Sequence, residues 1–154
     1  MSEPLFRFRV ITFRSLDYHR TLTLRERVLR QPLGKVLSGD DLANEQAQWH
    51  FGLFDASGKA GACLVAAPAG ENAVRLRQMA VAPEFHSRGL GGRLLRLTED
   101  ELQRRGVFRV TLNARSTATG FYHRHGYHIR GQPFIEVGIP HQAMTKQLDV
   151  LHSS

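Results

Sequence analysis

Between Leu5 and Phe13 apolar and polar positions alternate, with Phe6, Phe8, Val10 and Thr12 on one side of an extended chain and Arg7, Arg9 and Ile11 on the other. That pattern predicts a half-buried strand. The period then changes. Leu22, Leu24, Val28 and Leu29 recur at helical spacing after Asp17, a helix-capping residue type, until Pro32 stops the run. Residues 33–47 carry Gly34, Gly39 and the acidic Asp40, Asp41 and Glu45, which predicts a loop with a short second helix. Trp49 to Phe54 reads as a strand, Asp55 to Lys59 as a hairpin turn, and Ala60 to Ala67 as a small apolar return strand. A further strand is predicted from Ala73 to Val81, ended by Pro83.

The clearest helix signal runs from Gly89 to Arg105. Leu90, Leu94 and Leu97 form one apolar line, Leu95 and Leu102 widen it, and Gly106 supplies a left-handed stop. Val107 to Leu112 is a short strand. Ser116 is placed to cap a helix through Phe121 and Tyr122 to about His125, with Gly126 ending it. Tyr127 to Arg130, Phe134 to Val137 and His141 to Leu148 follow as strand material. The order of elements predicts an α+β fold in which helices pack on a mixed sheet.

Composition narrows the class. A chain of 154 residues, 42% hydrophobic and 23% charged, suits a single domain over residues 1–154. No apolar run is long enough to cross a bilayer, and Met1 to Leu5 lacks the basic and apolar regions of a signal peptide. Cys63 is the only cysteine, which excludes an internal disulfide and fits a reducing cytoplasm. The formal charge is +7, and Lys35, Lys59 and Lys146 are the only lysines among the basic residues. The arginines are dispersed rather than blocked, so neither a nucleic-acid nor a membrane partner is expected. The basic surface is read mainly as a solvated face, with a smaller part in attracting a polyanionic ligand.

The segment His86-Ser87-Arg88-Gly89-Leu90-Gly91-Gly92 follows a strand and opens the strongest helix. A helix start presents unpaired N–H groups and the positive end of its dipole, which suits a phosphate. Gly89, Gly91 and Gly92 remove side chains that would hold a diphosphate away, and they permit the positive φ that aims successive donors inward. A nucleotide P-loop needs Gly-Lys-Ser/Thr at its end, and Gly91-Gly92-Arg93 does not supply it. A dinucleotide fingerprint needs a glycine where Leu94 stands.

The stretch Leu76 to Leu95 resembles the central motif of the GNAT acetyltransferase superfamily, Gln/Arg-x-x-Gly-x-Gly/Ala after a strand ending in Val-x-Pro. Asn113-Ala114-Arg115, Gly120-Phe121-Tyr122 and Gly126-Tyr127 resemble its second motif, and Gly138-Ile139-Pro140-His141-x-x-Met144 resembles the ending of a branch of small bacterial members. His86 departs from the Gln or Arg usual at its position. The resemblance implies a mixed, mostly antiparallel central sheet flanked by helices, with a splayed central strand that binds the cofactor. It implies direct transfer of an acetyl group from acetyl-CoA to an amine of a small molecule or peptide, without a metal. A catalytically idle acyl-CoA-binding regulatory module is the alternative, and homodimer formation stays open.

Residue by residue, the resemblance sets the pantetheine arm along Met79, Ala80 and Val81 and the diphosphate on His86, Ser87, Arg88, Gly89, Leu90, Gly91 and Gly92. Asn113 is a candidate for the pantetheine or an ordered water. Tyr122 is the candidate general acid, since a tyrosine of pKa about 10 lies near a leaving thiol of about 8.5. The base is open, because Arg75 and Arg77 occupy positions where many relatives carry a glutamate, so either a water chain or a base from elsewhere takes the amine proton. His141 is the first candidate and Glu136 the second. Acceptor recognition is expected from residues 25–46 and 130–144. Asp40, Asp41 and Glu45 either attract a cationic amine or cap a short helix and face water. His123, His125 and His128 have the density of a metal site but lack an accompanying carboxylate or thiol, and read as a solvated helix end.

Overall fold

The computed structural model describes residues 5–149, and the chain forms two compact units. The first comprises the chain to Ala67 together with Gln78–Thr98, and the second comprises Pro68–Arg77 and the chain from Glu99 onward.

In the first unit β1 (Arg7–Ile11) leads to α1 (Leu16–Arg25), whose last residue runs into a π-helical turn over Glu26–Arg30 and a 3₁₀ turn over Gln31–Leu33. Then come α2 (Gly39–Leu42), a 3₁₀ turn (Glu45–Ala47), β2 (Trp49–Phe54), β3 (Ala60–Pro68) and the far half of β4 (Ala73–Val81). A 3₁₀ turn (Pro83–Phe85) and α3 (Leu90–Arg104), as far as Thr98, complete the unit. β1 pairs antiparallel with β2, Arg7 opposite Phe54, and β2 pairs antiparallel with β3.

The β1 prediction holds for the strand but not for its faces. Val10 is 49% exposed, whereas Ile11, assigned to the polar side, is buried. Ile11 joins Tyr18, Leu24, Phe54, Cys63, Ala80 and Ala82 in one apolar cluster. Because Tyr18 and Leu24 of α1 enter that cluster, the Ile11 face of β1 is covered too. Each large side chain buried there stabilises the fold by roughly 1.5–3 kcal/mol. Ser15, not Asp17, caps α1: its Oγ accepts from the Tyr18 N–H at 3.2 Å. Asp17 instead accepts from Arg9 and Arg20.

In the second unit the near half of β4 pairs with β5 (Arg109–Arg115) in parallel, over Ala73–Leu76 and Arg109–Leu112. The remaining pairs are antiparallel: β8 (Ile139–Gln147) lies along the full length of β5, and β6 (His128–Ile129) and β7 (Phe134–Glu136) both pair with β8. Hydrogen-bonded order runs β1-β2-β3-β4-β5-β8-β6, with β7 beside β8. The fold is thus α+β with a mixed, mostly antiparallel sheet. Val74, Leu76, Leu102, Val107, Val110, Leu112, Tyr127 and Met144 are among the buried apolar residues of this unit.

Two glycine stops shape it. Gly106 (φ +83) ends α3 with bonds from the Gly106 N–H to Gln103 and from the Val107 N–H to Leu102. Gly126 (φ +91) repeats the motif after α4 (Thr119–Arg124), where the Gly126 N–H bonds His123 and the Tyr127 N–H bonds the Tyr122 carbonyl. α4 has no side-chain cap. The predicted capping residue, Ser116, starts a 3₁₀ turn (Ser116–Ala118) instead. β7 and β8 form a tight hairpin, Glu136 opposite Ile139, across Val137 (φ +46) and Gly138 (φ +77). Two successive positive φ values are those of a type I′ turn.

Candidate active site

Within the first unit, β4 departs from regular geometry at Gln78, a non-glycine residue at φ +53. The Arg25 Nε donates to Gln78 Oε1 at 3.1 Å. Arg25 is itself wholly buried and forked onto Glu45, its Nη1 donating to Oε1 at 2.9 Å, and the Tyr18 hydroxyl donates to the same oxygen at 2.6 Å. Burial alone would lower the Arg25 pKa. The hydrogen bonds and charge of Glu45 outweigh it and hold the guanidinium above its ordinary value. Burial and Glu45 together push the Tyr18 phenol up to about 12. Glu45, expected to face water or an amine, is therefore the buried counter-ion of Arg25. Asp41 closes a capping box with Ser38 and pairs with Arg30 at 2.7 Å, which holds its carboxyl down at about 2. Asp40 is exposed, as a helix-capping reading requires.

Beyond Gln78, Ala80 is buried while Met79 and Val81 are half-buried, and the Ala82 N–H bonds the Gly61 carbonyl at 2.8 Å. The loop that follows is exposed from His86 to Gly89. The His86 Nε2 donates to the Val81 carbonyl at 3.2 Å, which folds the loop back on the strand. Ser87 (φ +75) and Gly89 (φ +71) both take left-handed backbone, and a Cβ at Gly89 would meet nothing within 4 Å. The Arg93 N–H closes the first turn of α3 on the Gly89 carbonyl at 3.1 Å, so the N–H groups of Leu90, Gly91 and Gly92 precede any intrahelical acceptor. Arg88 stands exposed beside them. An open, left-handed loop feeding a bare helix start fits a diphosphate.

Within the second unit, Tyr122 lies near the end of α4. Its ring meets Phe121 edge-on at 5.0 Å and Tyr127 at 5.8 Å, and its carbonyl is bonded by Tyr127. Its side chain is half-buried, and burial lifts the phenol to about 12. The Tyr127 hydroxyl donates to Glu99 at 2.8 Å, and burial with Glu99 raises its pKa as well. Asn113 sits on β5 opposite Ala143. His141 is buried, its Nδ1–H donating to the Ile139 carbonyl at 2.8 Å, while Nε2 stands 3.5 Å from Glu136 Oε2. The two candidate bases are thus one pair, brought together by the β7–β8 hairpin, and Phe134 stacks on the imidazole at 6.0 Å.

His123 and His125 lie at the end of α4 and His128 on β6, with His123 and His128 exposed. Among the described residues no group of three or more histidines, cysteines or carboxylates is placed to hold a metal, and no helix is long and apolar enough to cross a membrane. Sequence reading missed the Arg25–Glu45 pair. Its one signal was that Arg25 follows Tyr18 and Thr21 at helical spacing, on the stripe that turns inward.

Comparison with known proteins bears on the family and the fold. Residues 32–148 match the family model described as an acetyltransferase (GNAT) domain. YjcF of Bacillus subtilis, described as an uncharacterized N-acetyltransferase, is 31% identical over 70% of this chain and 74% of its own length. YyaT of the same organism is 32% identical over 48% of this chain, and the match spans only half of YyaT's length. The crystal structure of an acyl-CoA N-acyltransferase from Pseudomonas aeruginosa aligns with a TM-score of 0.79 at 18% identity, covering 92% of this chain and 99% of that one. With the family model spanning most of the chain, this protein belongs to the GNAT acetyltransferase family.

Proposed function

We propose that the chain works as one GNAT domain, an acyl-CoA-dependent N-acetyltransferase that acylates an amine of a small molecule or peptide directly. The observation that carries this reading is the loop after β4, where left-handed Ser87 and Gly89 lead into the Gly91-Gly92 start of α3. When bound, acetyl-CoA supplies an activated acyl carbonyl and a thiol leaving group. The N–H groups of Leu90, Gly91 and Gly92 would hold its diphosphate, with His86, Ser87 and Arg88 lining the loop and Met79, Ala80 and Val81 offering main-chain partners to the pantetheine arm. Asn113 is carried over from the second motif as the residue for the pantetheine or an ordered water.

In the transfer, the amine nitrogen would form the new bond to the thioester carbonyl carbon as the carbon–sulfur bond breaks and the thiol leaves. His141 Nε2 accepts the amine proton, and the resulting imidazolium is met by the Glu136 carboxylate 3.5 Å away. Tyr122 donates its proton to the departing thiolate. Burial holds that phenol up at about 12, so it gives up its proton less readily than a free tyrosine.

An amine panel incubated with acetyl-CoA, with release of free thiol as the readout, tests the reaction. Tight CoA binding with no acetylation of any amine would favour the idle acyl-CoA-binding module instead.

A further inference from the structure

Strand alternation sorts the second unit's sheet into two faces. Val74, Leu76, Val110, Leu112, Ala114 and Met144 share the buried face. The other face carries Arg75 and Arg77 of β4 and Thr111, Asn113 and Arg115 of β5. Directly opposed residues share a face, and the registers set Arg75 beside Thr111, Asn113 beside Ala143 and Arg115 beside His141. Glu136 lies on it through the hairpin.

Three half-buried arginines therefore occupy the face that holds Asn113 and the His141–Glu136 pair. The strands β4, β5, β7 and β8 contain one carboxylate, Glu136, and it stands 3.5 Å from His141 Nε2 at the hairpin, beyond the stretch of sheet that carries Arg75. Arg75 forms no ion pair among the described residues. A cation partly withdrawn from water and set in the middle of a sheet is costly without a counter-anion. Its planar fork matches the two oxygens of a carboxylate or phosphate. Of the acidic residues that would have suited a polycationic acceptor, Asp41 and Glu45 are committed to Arg30 and Arg25, while Asp40 faces outward at the start of α2.

We propose that the amine acceptor bears an oxyanionic group, a carboxylate or a phosphate, held by Arg75 on the face that also carries Arg77, Arg115 and His141. This rests on the acetyltransferase reading and narrows its substrate. Diamines and polyamines are poor acceptors, because the same arginines repel a second ammonium.

Matched amines test it: β-alanine against propylamine for the carboxylate, and phosphoethanolamine against ethanolamine for the phosphate, each with acetyl-CoA and thiol release as the readout. In at least one pair the anionic member is expected to exceed its neutral partner tenfold or more in kcat/KM, and the pair that responds identifies the oxyanion. Arg75→Gln should cut that ratio at least fivefold through KM, and Arg75→Lys, which keeps the charge but not the fork, should restore part of it. Equal turnover within both pairs, or a ratio unchanged in Arg75→Gln, overturns the proposal while leaving the acetyltransferase standing. If CoA binds and none of the four amines is acetylated, calorimetric titration of acetate and inorganic phosphate into the CoA complex decides. Heat that disappears in Arg75→Gln keeps the anion site, and no heat from wild type overturns it.

Discussion

Two residues of the second unit show how local physics meets chemistry. Tyr122 is fixed by its place one turn before Gly126, where the helix stop ties its carbonyl to Tyr127 and sets the rings edge to face. Tyr122→Phe keeps that packing and removes only the proton. Turnover should fall by roughly 10²–10⁴, the usual worth of a positioned general acid, while the affinity for CoA in equilibrium titration stays unchanged. Unaltered turnover would remove Tyr122 from the mechanism. Val137 is the opposite case, a β-branched residue at φ +46, where a Cβ costs roughly 1–2 kcal/mol. Val137→Asn should raise the urea midpoint by the equivalent of about 1 kcal/mol with the hairpin retained. This residue also explains why the hairpin was illegible: such turns announce themselves by Asn-Gly, and Val137-Gly138 reads as the end of a strand. The proximity of Glu136 to His141 depended on that turn, so their pairing could not be read from the chain.

Elements with one dominant local cause were legible, and elements made by distant partners were not. α3 was placed within a residue at each end because its leucine line is regular and Gly106 stops it. Gly91→Glu leaves that line intact, so the fold should persist by circular dichroism while CoA binding is abolished by bulk and like charge. Retained binding would displace the diphosphate from this helix start. The strands β2 and β4 were read at their exact bounds, since turns and Pro83 frame them. α1 was read as a helix, but its extension into a π-helical turn and the burial of Arg25 were not. The partner of Arg25 is Glu45, 20 positions along in a 3₁₀ turn that has no periodic signal. Removing one member of such a pair strands a buried charge, so Glu45→Ala should cost roughly 3–5 kcal/mol in denaturant unfolding. A loss below about 1 kcal/mol would mean that water reaches Arg25.

At the scale of the whole molecule, the family match from 32 to 148 draws on both compact units, as do β4 and α3. Acetyl-CoA at a hundredfold excess over its Kd should add about 2.7 kcal/mol to stability, a rise of roughly 5–10 °C in Tm. No shift at saturation would sink the cofactor assignment. Acid should undo part of the first unit. The Asp41 carboxyl is lowered from 3.8 to about 2, mainly by Arg30, so its contribution is complete above pH 3.8 and is lost as pH falls toward 2. Asp41→Asn should flatten the stability profile in that window, by at most about 2 kcal/mol. The two ends of the strand order carry a different consequence. A terminal strand can template another chain, yet β6 has only two residues to offer and β1 carries Arg7 and Arg9 among its five. A second copy approaching β1 meets its own charges in reverse, and one approaching β6 finds almost no backbone to bond. Ile129 and Ile135, exposed at 62% and 69%, sit on β6 and β7, strands of two and three residues that leave an incoming chain little backbone to bond and so disfavour fibril growth from that side.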